Sequence, residues 1–99
     1  MGTSTSSLAK ATLKGHNHTV RAVACFTMAD GAPRAISGSF DRTLRVWDPL
    51  AGTCLATLKG HTARVFAVAC FTLADGAPRA ISGGEDTTLR VWDLSLIHI

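Results

Sequence analysis

His16, Ser37 and Asp41 supply the three side-chain types of a hydrolase relay: a base, a nucleophile and an orienting carboxylate. The same trio returns as His61, Ser82 and Asp86. Three features weigh against catalysis. No Gly-x-Ser-x-Gly elbow surrounds either serine, and no oxyanion donors can be assigned from the sequence. Each trio also has a tryptophan nearby, Trp47 or Trp92, whose indole N–H must find an acceptor once buried. No catalytic residue is therefore assigned, and the chain is expected not to be an enzyme. One histidine per repeat lacks ligand spacing, so neither a metal nor a cofactor is expected. Cys25, Cys54 and Cys70 show no Cys-x-x-Cys spacing and are odd in number. Two of them fall at equivalent apolar positions, which reads as buried free thiols in a reducing compartment.

The elements that must position these residues are set by a repeat. Ser37–Asp48, SGSFDRTLRVWD, comes back as Ser82–Asp93, SGGEDTTLRVWD, 45 residues later. Laid over Ala56–Asp93, the 38 positions of Ala11–Asp48 differ at only 8, namely 17, 18, 19, 21, 28, 39, 40 and 42 of the first copy. Such a period is the signature of stacked supersecondary units. Each copy opens near a Gly-His pair, Gly15-His16 or Gly60-His61, and closes on Trp47-Asp48 or Trp92-Asp93. With both dipeptides, their spacing and the intervening Ser-Gly-x-x-Asp present twice, the chain resembles the WD-repeat family of β-propellers over roughly residues 8–94.

That resemblance implies an all-β fold of four-stranded antiparallel blades in an incomplete ring. Local patterning agrees, because no long segment of helical period competes. Strands are expected at Val20–Phe26, Arg34–Gly38, Thr43–Trp47 and Cys54–Lys59, then at Val65–Phe71, Arg79–Gly83 and Thr88–Trp92, with a hairpin at Asp30-Gly31 and a tight turn at Ser39–Arg42. Ala9–Lys14 matches Cys54–Lys59 and is expected to be an outermost strand that closes a complete ring, which places the start of the chain near a genuine N-terminus. In the family, the strand serine accepts from the tryptophan and relays through the loop histidine to the turn aspartate. The matching residues here are Trp47, Ser37, His16 and Asp41, then Trp92, Ser82, His61 and Asp86.

The resemblance also implies a partner-binding rim. Its positions flank the first apolar residue of the inner strand and precede the turn aspartate: Thr19, Arg21 and Phe40 in the first copy, Arg64, Phe66 and Glu85 in the second. All three pairs fall among the 8 differences. The scaffold repeats while the rim changes chemistry, and Phe and Arg are types enriched where binding energy concentrates.

The ends read differently. Residues 1–7, MGTSTSS, are small and polar and are expected to be disordered, with a weak N-myristoylation pattern at Gly2 and Ser6. Residues 8–93 hold the two repeats, 11–48 and 56–93, of a truncated propeller. Residues 94–99, LSLIHI, abandon the repeat and match one reading frame of the mosaic-end adapter of transposon-based sequencing libraries, so a non-native tail is expected; an apolar fourth strand is the alternative.

Net charge is +3, from ten Lys/Arg against seven Asp/Glu spread over both repeats, so nucleic acid is not the expected partner. There is no apolar run near the ~18 residues of a membrane span and no signal peptide at the start, so a cytoplasmic protein without membrane association is expected. Propellers use about 4–8 blades. Two repeats leave several hundred Å² of apolar surface wet, a loss on the order of 10 kcal/mol, so the chain alone is expected to be unfolded, aggregated or self-associated. The function expected is a non-enzymatic scaffold that presents a propeller rim to protein or peptide partners. Two alternatives stay open: a ligand-sensing region of a larger signalling ATPase or kinase, and a two-repeat protein that builds its ring by self-association.

Overall fold

A computed structural model describes residues 11–97 of the chain. Met1–Lys10 and His98–Ile99 lie outside the described residues, and with them the polar tail, the Gly2 pattern, and the start of the strand expected at Ala9–Lys14.

Among the described residues, seven strands form two antiparallel sheets. The first contains β1 (Val20–Thr27), β2 (Pro33–Ser39), β3 (Thr43–Asp48) and β4 (Thr53–Lys59), in that spatial order. The second contains β5 (Val65–Thr72), β6 (Pro78–Gly84) and β7 (Leu89–Asp93). Pro33 and Pro78 open their strands, where a missing N–H costs the ladder least. At the β1–β2 hairpin Gly31 takes φ +91°, and the Ala32 amide donates to Asp30 Oδ1 at 2.9 Å. The β2–β3 turn instead puts Arg42 at φ +75°, and the equivalent Thr87 sits at +66°. Both are held there by the preceding aspartate: the Thr43 amide donates to Asp41 Oδ1 at 2.9 Å, and the Thr88 amide to Asp86 Oδ1 at 3.1 Å.

Two irregularities matter for the site. Val20 pairs with Ser39 and Ala22 with Gly38, so Arg21 is an extra residue, a β-bulge in β1. Val65 pairs with Gly84 and Ala67 with Gly83, which makes Phe66 the bulged residue of β5. A bulge bends its strand and re-aims a side chain.

The core lies between the sheets. Phe26, Ile36, Leu44 and Val46 of the first sheet meet Val65 and Ala80 of the second, together with Leu94. β5 lies against β1 and β2.

Several expectations are corrected. Residues 11–14 form no strand, and none of the strands of the described residues pairs with them. The tail does not continue as a fourth strand within the described residues: Leu94–Leu96 form a 3₁₀ turn capped by Asp93, whose carboxylate accepts from the Ser95 amide at 3.0 Å, and Leu94 is buried. The burial expected for the thiols is also not reached. Cys25 and Cys54 are exposed and only Cys70 is half-buried: among the described residues no sheet covers the face of β1 that carries Cys25, and Cys54 lies on the edge strand β4.

Candidate functional site

The two His–Ser–Asp trios come together as the family pattern implies, each completed by its tryptophan. Trp47 Nε1 donates to Ser37 Oγ at 2.8 Å; Ser37 Oγ lies 2.6 Å from His16 Nε2, and His16 Nδ1 lies 2.8 Å from Asp41 Oδ2. In the second sheet, Trp92 Nε1 donates to Ser82 Oγ at 2.8 Å, His61 Nε2 is 2.7 Å from Ser82 Oγ, and His61 Nδ1 is 2.9 Å from Asp86 Oδ2. One proton arrangement satisfies every atom. The indole N–H donates to the serine oxygen, the serine hydroxyl to Nε2, and the Nδ1–H to the carboxylate.

The preceding glycine lets this chain close. A Cβ on Gly15 would come within 2.9 Å of the Trp47 ring, and one on Gly60 within 2.9 Å of Trp92. Gly-His at one end of the repeat and Trp-Asp at the other are thus two halves of one contact.

The aspartates gather further donors. Asp41 Oδ2 accepts the Asn17 amide at 3.0 Å and Asp86 Oδ2 accepts the Thr62 amide at 2.9 Å. At Asp41 burial works against the charge. Hydrogen bonds from Thr43 Oγ1, the Asn17 amide, His16 and the Thr43 amide outweigh it and hold the carboxyl well below the usual carboxylate range. At Asp86 the Thr88 hydroxyl is the leading cause of the same lowering, opposed by burial and aided by the Thr62 amide, His61 and the Thr88 amide. Both turn carboxylates stay ionised, and the network they anchor ties loop, strand and turn together.

As chemistry, this arrangement is spent internally. Ser37 and Ser82 are buried, and each oxygen already receives an indole N–H. A cavity of about 490 Å³ does open beside His16, Ser37 and Trp47. At the equivalent place in the second sheet, Val65 and Ala80, the counterparts of the cavity-lining Val20 and Ala35, are completely buried against the first sheet.

The residues that differ between the repeats converge elsewhere, along the seam between the sheets. Phe40 and Phe66 meet edge to face, centroids 5.7 Å apart at 76°, and the Arg64 guanidinium carbon sits 4.9 Å above the Phe40 ring. Backbone hydrogen bonds set the positions: the Phe40 amide donates to the Thr19 carbonyl at 2.9 Å and the Glu85 amide to the Arg64 carbonyl at 2.8 Å. Thr19, Arg21, Arg64, Phe66 and Glu85 are exposed, and Phe40 is half-buried beneath its neighbours. Arg21 and Phe66 owe their outward aim to the bulges. His18 belongs with this group, its ring 5.8 Å from Phe40. It was missed as a rim residue although it too differs between the copies, as His18 against Ala63, and that difference was the signal.

The family model described as "WD domain, G-beta repeat" matches residues 8–48 and again 52–93. The chain belongs to the WD40 repeat family. The two sheets of the described residues are thus a four-stranded WD40 blade and three strands of the next, and they close no ring. Among solved structures, the WD40 pair is similar to the crystal structure of the computationally designed Ika4 protein, with a TM-score of 0.66 and 31% identity over 88% of this chain. It spans about half of that designed protein, 48% of its length. No curated protein matches the chain.

Proposed function

We propose that the chain is a non-enzymatic, cytoplasmic interaction scaffold whose rim binds a protein or peptide partner. The carrying observation is the division of labour between positions. The Trp-Ser-His-Asp networks are identical in both repeats, and so are the equivalent strand residues apart from Arg21 against Phe66 and Ser39 against Gly84, while the rim pairs Thr19/Arg64, Arg21/Phe66 and Phe40/Glu85 all differ and three of these residues meet across the seam. WD40 repeats generally mediate protein–protein interaction, which agrees with this reading.

The rim offers two kinds of contact: aromatic edges at Phe40 and Phe66, and guanidinium groups at Arg21 and Arg64. A partner segment that sets an apolar side chain beside an acidic one fits both. Rigid aromatic and arginine side chains are the types that carry most binding energy in interfaces. The three free cysteines suit a reducing compartment. No helix among the described residues is long and apolar enough to cross a membrane.

Panning a displayed random-peptide library on the protein tests the proposal. Selected peptides are expected to bind Phe66→Ala and Arg64→Ala at least tenfold more weakly, about 1.4 kcal/mol, and Lys59→Ala as well as the unaltered chain. Peptides indifferent to both rim changes would contradict it.

A further inference from the structure

Three side chains from three separate segments meet on the Phe40 ring at the seam between the blades. His18, in the loop before β1, lies with its ring centroid 5.8 Å away; Phe66, the bulged residue of β5, meets it edge to face at 5.7 Å; and the Arg64 guanidinium carbon stands 4.9 Å from the ring centroid. Arg64 leads directly into β5, so a cation of the second blade is stacked on an aromatic ring of the first. Neither member of the stack recurs: Thr19 is the counterpart of Arg64, and Glu85 that of Phe40. The charge is also unneutralised. Among the described residues the ion pairs are His16–Asp41, Arg34–Asp48, His61–Asp86 and Arg79–Asp93, and Arg64 takes part in none of them. Glu85 is its backbone neighbour, the Glu85 amide donating to the Arg64 carbonyl, yet the Glu85 carboxylate forms no ion pair with it.

We propose that Arg64 is the anchor for one carboxylate of the partner segment, and that Phe40, from the neighbouring blade, is the positioning residue that holds Arg64 ready for it. The inference rests on the rim reading above and adds which cation takes the acidic group and what orients it. A guanidinium is planar, and its N–H groups form a fork that matches the two oxygens of a carboxylate. An exposed arginine ordinarily gains little from such a pair, because a long side chain must be immobilised in water to make it. Stacking on Phe40 restrains that side chain before the partner arrives, and a ring face, unlike a carboxylate, leaves the positive charge unneutralised. Arg21 is exposed and also outside the ion pairs, but among the described residues no aromatic ring lies beneath its guanidinium. Arg64 is therefore the preorganised cation of the two. Phe66 and His18 flank the stack, so an apolar side chain next to the partner's carboxylate covers the pair and excludes water from it, which strengthens the attraction.

Double-mutant cycles between the full 99-residue chain and peptides selected from the displayed random library test it, since Asp and Glu are the only anionic side chains such a library carries. The selected peptides are expected to share an acidic residue. Replacing that residue with Asn or Gln is expected to weaken binding to the unaltered protein about tenfold, and binding to Arg64→Ala less than about twofold. Phe40→Leu keeps an apolar side chain but removes the ring face, and is expected to weaken the acidic peptide about three- to fivefold more than its Asn or Gln version. Phe40→Tyr keeps the ring face and is expected to abolish that difference. A general loosening of the rim would weaken both peptides alike, so the acid-specific part of the loss reports on the orientation of Arg64. Selected peptides without a shared acidic residue, equal losses of the two peptides on Arg64→Ala or on Phe40→Leu, or a carboxylate coupling to Arg21 as large as that to Arg64 would each overturn the proposal, while the rim reading stands if Phe66→Ala still weakens binding. Peptides indifferent to both Phe66→Ala and Arg64→Ala would overturn the two together.

Discussion

Val65 is seated directly on Gly38, with only 2.7 Å between its Cγ1 and the place a Cβ on that glycine would occupy. Gly38→Ala must therefore push the blades apart, and overpacking of this kind costs about 1–3 kcal/mol. A denaturant melt is expected to show that loss at any protein concentration. Gly83→Ala, whose Cβ would meet only the end of the flexible Leu89 side chain at 3.3 Å, is expected to cost less in the same melt.

Trp47 is buried and donates to Ser37. Trp47→Ala removes a large ring and a hydrogen bond together and is expected to cost about 3–5 kcal/mol. Asp41→Ala strips the acceptor from His16 Nδ1, the Asn17 amide and Thr43, and is expected to cost about 1–3 kcal/mol. Equilibrium urea unfolding checks both. A loss under about 1 kcal/mol for the tryptophan would place it outside the packed structure.

Acid should weaken the fold through the turn aspartates. Asp41 and Asp86 hold their protons less tightly when folded than the ordinary value of about 3.9, so the unfolded chain binds more protons below that pH. Their contribution is fully present above the unfolded value and is lost as pH falls through the folded ones. Melts at stepwise lower pH are expected to show stability declining below about pH 4, and Asp41→Asn with Asp86→Asn should flatten that decline.

The cysteines report on burial at β1 and β5. Burial, with the nearby Cys25 thiol, raises Cys70 above its usual value, and Cys25 itself is exposed. A thiol reagent is expected to modify Cys25 well before Cys70, and equal rates would contradict the burial of Cys70. Timed mass spectra of the alkylated protein give the order directly.

How much of this was legible depends on range. The strands were, because β-branched runs bounded by Asp-Gly turns and by Pro33 and Pro78 are local signals. The network was legible only through the family pattern, since nothing local says that Gly15 must admit the Trp47 ring. The bulges at Arg21 and Phe66 were invisible, because a single extra residue appears only against its partner strand. So was the meeting of Phe40 with Phe66, which depends on how one blade sits on the next. The strand expected at Ala9–Lys14 is not formed over its described residues 11–14 for a related reason: pairing depends on a partner strand remote in sequence, which the segment's own residues do not specify.

The most direct measurement exchanges the rims. In one variant Thr19→Arg, Arg21→Phe, Phe40→Glu, Arg64→Thr, Phe66→Arg and Glu85→Phe trade the six residues between the repeats while keeping composition and every scaffold residue. If recognition lies in this cluster, calorimetric titration with a selected peptide should show binding weakened by more than tenfold, about 1.4 kcal/mol, while the urea midpoint moves little. Undiminished binding with the rims exchanged would contradict the account.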